Sequence, residues 1–156
     1  LRKKMLRDSF KTELQNAMKL KDSVKVSTLR LILAAVKDRD IETKSKGNAE
    51  NITDLEIIEI LTKMVKQRLE TIKIYKKAGR LELAESEESE ILVIKEFMPS
   101  KLSEKELLNV IDDTIENVKA ESLRDLGKVI SEIKKNYTGR CDFAEVSQIL
   151  RNKLEG

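Results

Sequence analysis

The sequence predicts an all-α protein, with an N-terminal domain of about four helices followed by a C-terminal three-helix domain. Apolar residues recur at intervals of three and four along most of the chain, which is the periodicity of one helical face. Aromatic residues make up only 3% of the sequence and proline occurs once, so aliphatic side chains must build the core. Charged residues, at 38%, fit the long solvated faces of amphipathic helices.

Two helices are expected before the first loop. The first covers about residues 2–20, and Asp22 or Ser23 then caps a second helix over about residues 24–43. Residues 45–51 lack periodicity and contain glycine and asparagine, which indicates a loop. Helix 1 has two interpretations: a core-packing helix, which is favoured, or an amphipathic helix that lies on a membrane. The membrane interpretation uses the basic residues Arg2, Lys3, Lys4, Arg7 and Lys11.

A helical hairpin organises the middle of the chain. Thr53 and Glu56 have the spacing of a capping box at the start of helix 3. Gly79 follows the last periodic turn, where a left-handed residue costs least when it lacks a Cβ atom. Helix 4 then runs from about residue 80 to residue 97, and Pro99 prevents its continuation.

Helix 4 carries an acidic run, made of Glu85, Glu87, Glu88 and Glu90. We expect these carboxylates to be solvated or to pair across the hairpin with the basic residues Arg68, Lys73 and Lys76. The alternative is that they bind a hard cation, but no oxygen-ligand loop with a turning glycine accompanies the run. The pairing interpretation is therefore favoured.

The proline marks the predicted boundary between the two domains. We place that boundary within residues 99–102, which gives domains over residues 1–99 and 100–156. The length of 156 residues fits one domain or two small ones.

Three helix starts are predicted in the C-terminal domain. Ser103 with Glu106 forms a second capping box before helix 5. Ser122 is expected to cap helix 6, and Asp142 with Glu145 is expected to start helix 7. The apolar residues expected to face inward from helix 6 are Leu123, Leu126, Ile130 and Ile133.

Composition restricts the chemistry that the chain can perform. The sequence contains no histidine, which removes the commonest general base and metal ligand, and we expect no metal and no cofactor. A single cysteine excludes an internal disulfide. No apolar run approaches the roughly 18–20 residues that a membrane-spanning helix needs. We expect no membrane partner.

Cys141 is the only soft nucleophile, and its position leaves two interpretations open. It follows Arg140 and precedes a helix start, which would lower the pKa of the thiol and make it reactive. The favoured interpretation is an inert residue, because no Cys–His pair can form in a chain without histidine.

A basic corner is predicted between helices 6 and 7. Residues 122–156 hold seven basic and five acidic residues, and the only other basic region, residues 1–49, holds thirteen and six. The corner comprises Lys128, Lys134, Lys135 and Arg140 around Tyr137. Such a turn can bind a phosphate backbone and stack a base on its aromatic ring. Equally, lysines at a helix C-terminus complement the helix dipole.

Three stretches of the chain resemble the GatB/YqeY family of small bacterial proteins. They read STLRLILAAVKDRDIE from Ser27, KMVKQRLETIKIYKKAGRLELAESEESEILVIKEFMPSKLSEKEL from Lys63, and DLGKVISEIKKNYTGRCDF from Asp125. The second stretch is the most specific. Together they span nearly the whole chain in the order and spacing of the family.

The resemblance implies a fold and a link to translation. The family is all-helical, and it is similar to the C-terminal helical and tail domains of the B subunit of the aspartyl/glutamyl-tRNA amidotransferase. That enzyme converts Glu-tRNA or Asp-tRNA into the amide form, and its tail domain contacts the tRNA body. The family label is carbon–nitrogen ligase with glutamine as amido-N-donor. The resemblance also implies a bacterial, cytoplasmic protein.

Three functions follow as expectations, in order of preference. The first is a tRNA-binding or amidotransferase-related accessory module, with tRNA and a translation or amidotransferase component as partners. The second is a protein–protein adaptor that acts through the hairpin of helices 3 and 4. The third is an autonomous amidotransferase. It ranks last because the chain contains no Gly-rich phosphate loop, no Ser–Lys amidase pattern and no Cys–His nucleophile.

Overall fold

The computed structural model describes residues 5–48 and 50–155, and in these ranges it contains seven α-helices, one 3₁₀ turn and no β-strand. The all-α prediction is therefore confirmed. The predicted start of helix 1, including Arg2, Lys3 and Lys4, lies outside the described residues. The helices are α1 (Leu6–Lys19), α2 (Ser23–Ser45), α3 (Asp54–Lys77), α4 (Leu81–Lys95), α5 (Glu104–Val118), α6 (Leu126–Tyr137) and α7 (Phe143–Leu154).

Side-chain caps start several of these helices. The Asp22 carboxylate accepts a hydrogen bond from the Lys25 N–H at 3.2 Å, and the Thr53 hydroxyl accepts one from the Glu56 N–H at 3.3 Å. At Ser103 the capping box is complete, because the hydroxyl and the Glu106 carboxylate each accept from the other residue's N–H. Local sequence signals thus determine where α2, α3 and α5 begin.

The backbone contacts divide the chain into two compact units, Leu1–Met98 and Pro99–Gly156. The first unit packs α1 to α4 around an aliphatic core. Phe10 and Phe97 meet edge to face in it, with ring centroids 5.0 Å apart. Gly79 takes φ +71° at the α3–α4 turn, the left-handed geometry for which glycine was predicted. The largest fully buried side chains of this unit are Phe10, Leu29, Ile32, Ile57, Leu61 and Ile94.

A charged cluster joins α1, α2 and the segment before α3. Arg7 donates to both oxygens of the Asp40 carboxylate at 2.7 and 2.6 Å, and Asp40 is only 8% exposed. The Ile52 N–H donates to the same carboxylate at 2.9 Å, while Arg7 also donates to the Ile52 carbonyl at 3.3 Å. These bonds stabilise the charged form of Asp40 and lower its pKa, the Arg7 hydrogen bond being the largest cause.

The second unit packs α5, α6 and α7 around its own core. Val129, Ile133, Val146 and Leu150 contribute side chains that are at most 1% exposed. Helix 7 begins where predicted. Its cap differs in one respect: the Asp142 carboxylate accepts a hydrogen bond from the Ala144 N–H at 2.9 Å, whereas Glu145 was the expected partner. The domain bounds of 1–99 and 100–156 stay a prediction.

The predicted start of helix 6 is wrong. A 3₁₀ turn, Leu123–Asp125, precedes α6, because the Asp125 carboxylate accepts from the Glu121 and Ser122 N–H groups at 2.8 and 3.3 Å. Leu123, which was expected to face inward, is 43% exposed as a result. Leu126 and Ile130 are partly buried against the core, and Val129 takes the most buried position instead.

Candidate nucleic-acid interface

The five side chains expected to contact tRNA lie on α6 and on the turn that follows it. α6 ends at Tyr137, where the Thr138 hydroxyl donates to the Lys134 carbonyl and the Arg140 N–H donates to the Tyr137 carbonyl. Gly139 takes φ +80°, a conformation that side chains with a Cβ atom rarely adopt. Hydrogen bonds within the turn therefore fix the position of the corner.

Three lysines of this corner are exposed: Lys128, Lys134 and Lys135. Lys128 and Lys135 are seven residues apart and share one face of α6, whereas Lys134 is turned by about 100° towards α7. There its ammonium lies 5.4 Å from the centroid of the Phe143 ring. Lys135 lies 3.3 Å from the Glu132 carboxylate, a surface pair that contributes only about 0–1 kcal/mol. A phosphate can therefore compete with Glu132 for Lys135.

Arg140 has a structural role that its sequence position did not reveal. Its Nε donates to the Ser100 carbonyl at 2.9 Å, and its own carbonyl accepts from the Leu102 N–H at 2.7 Å. These bonds join the turn to the segment that precedes α5. Its guanidinium also lies 5.7 Å from the centroid of the Tyr137 ring. Sequence analysis missed Ser100 because forty residues separate the partners, and no local pattern predicts such a contact.

Tyr137 is half-buried rather than free. Its ring packs against the core of the second unit, and the Arg140 guanidinium covers one face. A nucleotide base at this corner would therefore meet the guanidinium plane, which also stacks bases. The structure thus brings the Tyr137 and Arg140 side chains into contact. The accessible cations of the corner are the three lysines at positions 128, 134 and 135.

Cys141 is not an activated thiol. Burial raises its pKa, and the carboxylates of Asp142 and Glu145 raise it further, because they disfavour the thiolate. The interpretation that its position lowers the pKa is therefore wrong.

The thiol of Cys141 should react slowly with iodoacetamide at pH 7.5. The expected rate is several times lower than that of the same chain in denaturant, where burial and the fixed carboxylates are lost. Mass spectrometry of quenched samples measures both rates. A native rate equal to or above the denatured rate would contradict the assigned environment.

The acidic run of α4 forms ion pairs with two of the three basic residues of α3 that were expected to pair with it, Arg68 and Lys76. Arg68 Nε lies 3.2 Å from Glu90 and 3.8 Å from Glu87, and Lys76 lies 3.3 Å from Glu88. Burial, together with the neighbouring Glu90 carboxylate, raises the pKa of Glu87. Across residues 5–48 and 50–155, no group of three or more potential metal ligands of the Cys, Asp or Glu type comes together.

The hairpin also carries an open groove of about 600 Å³. Leu69 and Leu92 stand exposed at its walls, 48% and 69% accessible, above the buried Ile72 and Ile91. This groove is the surface that the adaptor hypothesis would use. Within the described part of the chain, no helix has both the length and the apolar composition to cross a bilayer.

The described helices place this chain in the class of small all-helical proteins. This chain belongs to the YqeY-like protein family, whose model matches residues 7–154. The match covers both units and all seven described helices.

Three similar proteins, all from fungi, illustrate the relationship. The chain is 30% identical over 131 residues to the protein of Clavispora lusitaniae named altered inheritance of mitochondria protein 41, mitochondrial, covering 82% of this chain and 74% of that protein. It is 34% identical over 94 residues to an uncharacterized protein of Schizosaccharomyces pombe, covering 60% of this chain and 72% of that protein. A Lachancea thermotolerans protein with the same mitochondrial name is 30% identical over 90 residues, covering 58% of this chain and 46% of that protein. These relatives give no support to a bacterial source or a cytoplasmic location, which stay predictions.

Proposed function

We propose that this chain is a tRNA-binding accessory module related to the tRNA-dependent amidotransferases, and that it binds the phosphate backbone through the α6–α7 corner. The observation that carries the proposal is the display of Lys128, Lys134 and Lys135 on a corner whose backbone is held by its own hydrogen bonds. Lysines that contact phosphates position a nucleic acid but do not distinguish its base sequence.

Each side chain has a separate part in the proposal. The three lysines contact phosphates. Arg140 is a positioning residue that holds the turn against Ser100 and presents its guanidinium plane to an unpaired base. The Tyr137 ring lies against the Arg140 guanidinium and supports it. The proposal assigns no catalytic step to the chain, because it lacks histidine and its one thiol is disfavoured as a thiolate.

The triple substitution Lys128→Ala/Lys134→Ala/Lys135→Ala is expected to weaken binding of total tRNA at least about tenfold at low salt. Because each lost phosphate contact flattens the slope of log K against log salt by about 1, the slope should fall by about 3. Mobility shifts at several salt concentrations measure both quantities. Arg140 is left unchanged because its loss would release the turn from Ser100.

A matched control removes the same charge elsewhere. Lys63, Lys66 and Lys73 are exposed on α3, and their triple alanine variant should keep the wild-type affinity and salt slope. Equal losses in the two variants would show that net charge alone causes binding. A wild-type chain that does not shift tRNA, or shifts it independently of salt, would overturn the proposal.

The adaptor function is the second candidate, and the apolar groove between Leu69 and Leu92 favours it. Affinity purification with and without nuclease separates the two functions. A partner that survives nuclease and is lost in Leu69→Glu/Leu92→Glu supports the adaptor. Amidation of Glu-tRNA by the purified chain with glutamine and ATP would instead establish the autonomous enzyme.

The cellular compartment is part of this proposal. A tRNA-binding module needs a compartment that holds tRNA, and both the cytoplasm and the mitochondrial matrix do. We keep the cytoplasm as the proposed location. A fluorescent fusion of the full-length protein in its native host would test it.

A further inference from the structure

α2 exposes an apolar stripe that the described residues of the first unit, 5–48 and 50–98, leave uncovered. Val24, Leu31 and Ile41 are 42%, 47% and 58% exposed, and Ser27 and Ala34 are exposed between them. Their spacing alternates three and four residues, which is the a and d pattern of a coiled-coil seam. Asp38 occupies the next a position and is also exposed. We call Val24, Ser27, Leu31, Ala34, Asp38 and Ile41 the α2 seam.

One flank of the α2 seam begins with Ser23 and is basic from Arg30 onward. Arg30, Lys37 and Lys44 follow one another at intervals of seven residues, which places them at g positions about 10.5 Å apart along the helix. All three are exposed, and none forms an ion pair with another side chain in residues 5–48 or 50–155. On the opposite flank Thr28 is fully buried and Ala35 is partly buried, whereas Glu42 is exposed and pairs with Lys46 at 3.2 Å.

The space beside the seam suits an elongated partner. A groove of about 450 Å³ lies between α2 and α3 and shares Asp38 with the seam. Ile60 and Met64 of α3 line the same groove. Small residues at Ser27 and Ala34 leave room for a second helix to approach the α2 backbone.

We infer that the α2 seam is a docking surface for an amphipathic helix of a partner protein whose flank is acidic. Glutamates spaced by seven residues on that helix would meet Arg30, Lys37 and Lys44, as charges at e and g positions do in coiled coils. A hydrogen-bond donor such as asparagine or lysine opposite Asp38 would fix the register.

A second copy of this chain does not fit the seam. Two antiparallel α2 seams would place the three basic residues of one copy against those of the other, and like charges across an interface are unfavourable. Two parallel seams would place Lys37 of one copy near Glu42 of the other, but Glu42 already pairs with Lys46 and Arg39 of its own chain. In the same arrangement Arg30 would meet Ala35. The charge pattern therefore selects an acidic heterologous helix.

The test titrates the full chain into a labelled synthetic helix of three heptads, with leucine and alanine in its stripe and glutamate on the one flank that would face Arg30, Lys37 and Lys44. Fluorescence anisotropy should show saturable binding. Binding should weaken about tenfold, or 1.4 kcal/mol, in Lys37→Glu/Lys44→Glu and at least as much in Leu31→Glu/Ile41→Glu. A lysine-flanked helix of the same stripe should bind Lys37→Glu/Lys44→Glu more tightly than it binds wild type.

The control variant Lys66→Glu/Lys73→Glu carries the same charge change at the same spacing on α3, and it should bind the acidic helix as wild type does. Circular dichroism melting checks that each variant is folded. Equal affinity of wild type for the two helices would overturn the inference. So would a wild-type dimer that Leu31→Glu dissociates, or tRNA or anionic-vesicle binding that Lys37→Glu/Lys44→Glu abolishes.

Discussion

Replacing Asp40 by alanine is expected to lower the free energy of unfolding of the first unit by about 3 kcal/mol. The substitution removes both acceptors of Arg7 and the acceptor of the Ile52 N–H, and it leaves a guanidinium that is only 20% exposed without its partner. Breaking one side of a buried, hydrogen-bonded ion pair costs far more than losing a surface pair. Urea unfolding followed by circular dichroism measures the change.

Two further variants separate charge loss from packing. Asp38→Ala removes an exposed carboxylate from the same helix and should change stability by no more than about 0.5 kcal/mol. Arg7→Met/Asp40→Leu replaces both charges with apolar groups and should recover part of the loss, because no charge is then left unpaired while the Ile52 N–H still lacks its acceptor. A loss below 1 kcal/mol for Asp40→Ala would show that the cluster contributes little.

The ion pair between Arg7 and Asp40 also predicts how the free energy of unfolding depends on pH. The pKa of Asp40 is lower in the folded chain than in the unfolded chain, where it is about 3.9. Its contribution is therefore complete above about pH 4 and is lost as pH falls through the lower, folded value. Wild type should lose stability over this acidic range faster than Asp40→Ala. Parallel pH profiles would contradict the assigned shift.

Local signals were sufficient to predict most of the fold. The caps at Asp22, Thr53 and Ser103 each act within three residues, so the sequence contains everything needed to predict them. The start of helix 6 was wrong because the Asp125 carboxylate bonds back to the Ser122 N–H across a 3₁₀ turn, and the regular helix begins only after that turn.

Contacts between residues that lie far apart in the sequence could not be predicted from local signals. Arg7 was grouped with the basic residues of helix 1 and Asp40 was not singled out, so neither residue was predicted to carry a buried charge. Nothing local indicated that the two charges were partners. The candidate site shows the same limit. Its lysines were identified from composition, but the bond from Arg140 to Ser100 depends on the tertiary fold.

The Leu150→Ala variant is expected to unfold the second unit while leaving the first unit folded. Leu150 is fully buried among α5, α6 and α7, and truncation of such a leucine costs about 2–5 kcal/mol. The second unit contains fewer than 60 residues, for which a total stability of about 3–9 kcal/mol is typical. One truncation therefore removes a large part of its stability, whereas the first unit keeps its own core.

Hydrogen exchange resolved by peptide measures the two units in one experiment. Amides of α5 to α7 should lose protection by about 30-fold or more in Leu150→Ala, which corresponds to 2 kcal/mol or more, while amides of α1 to α4 keep theirs. The control Leu123→Ala truncates an exposed leucine of the same unit and should leave both patterns unchanged. Loss of protection in both units together would mean that they fold as one cooperative domain, and the predicted division near Pro99 would then be wrong.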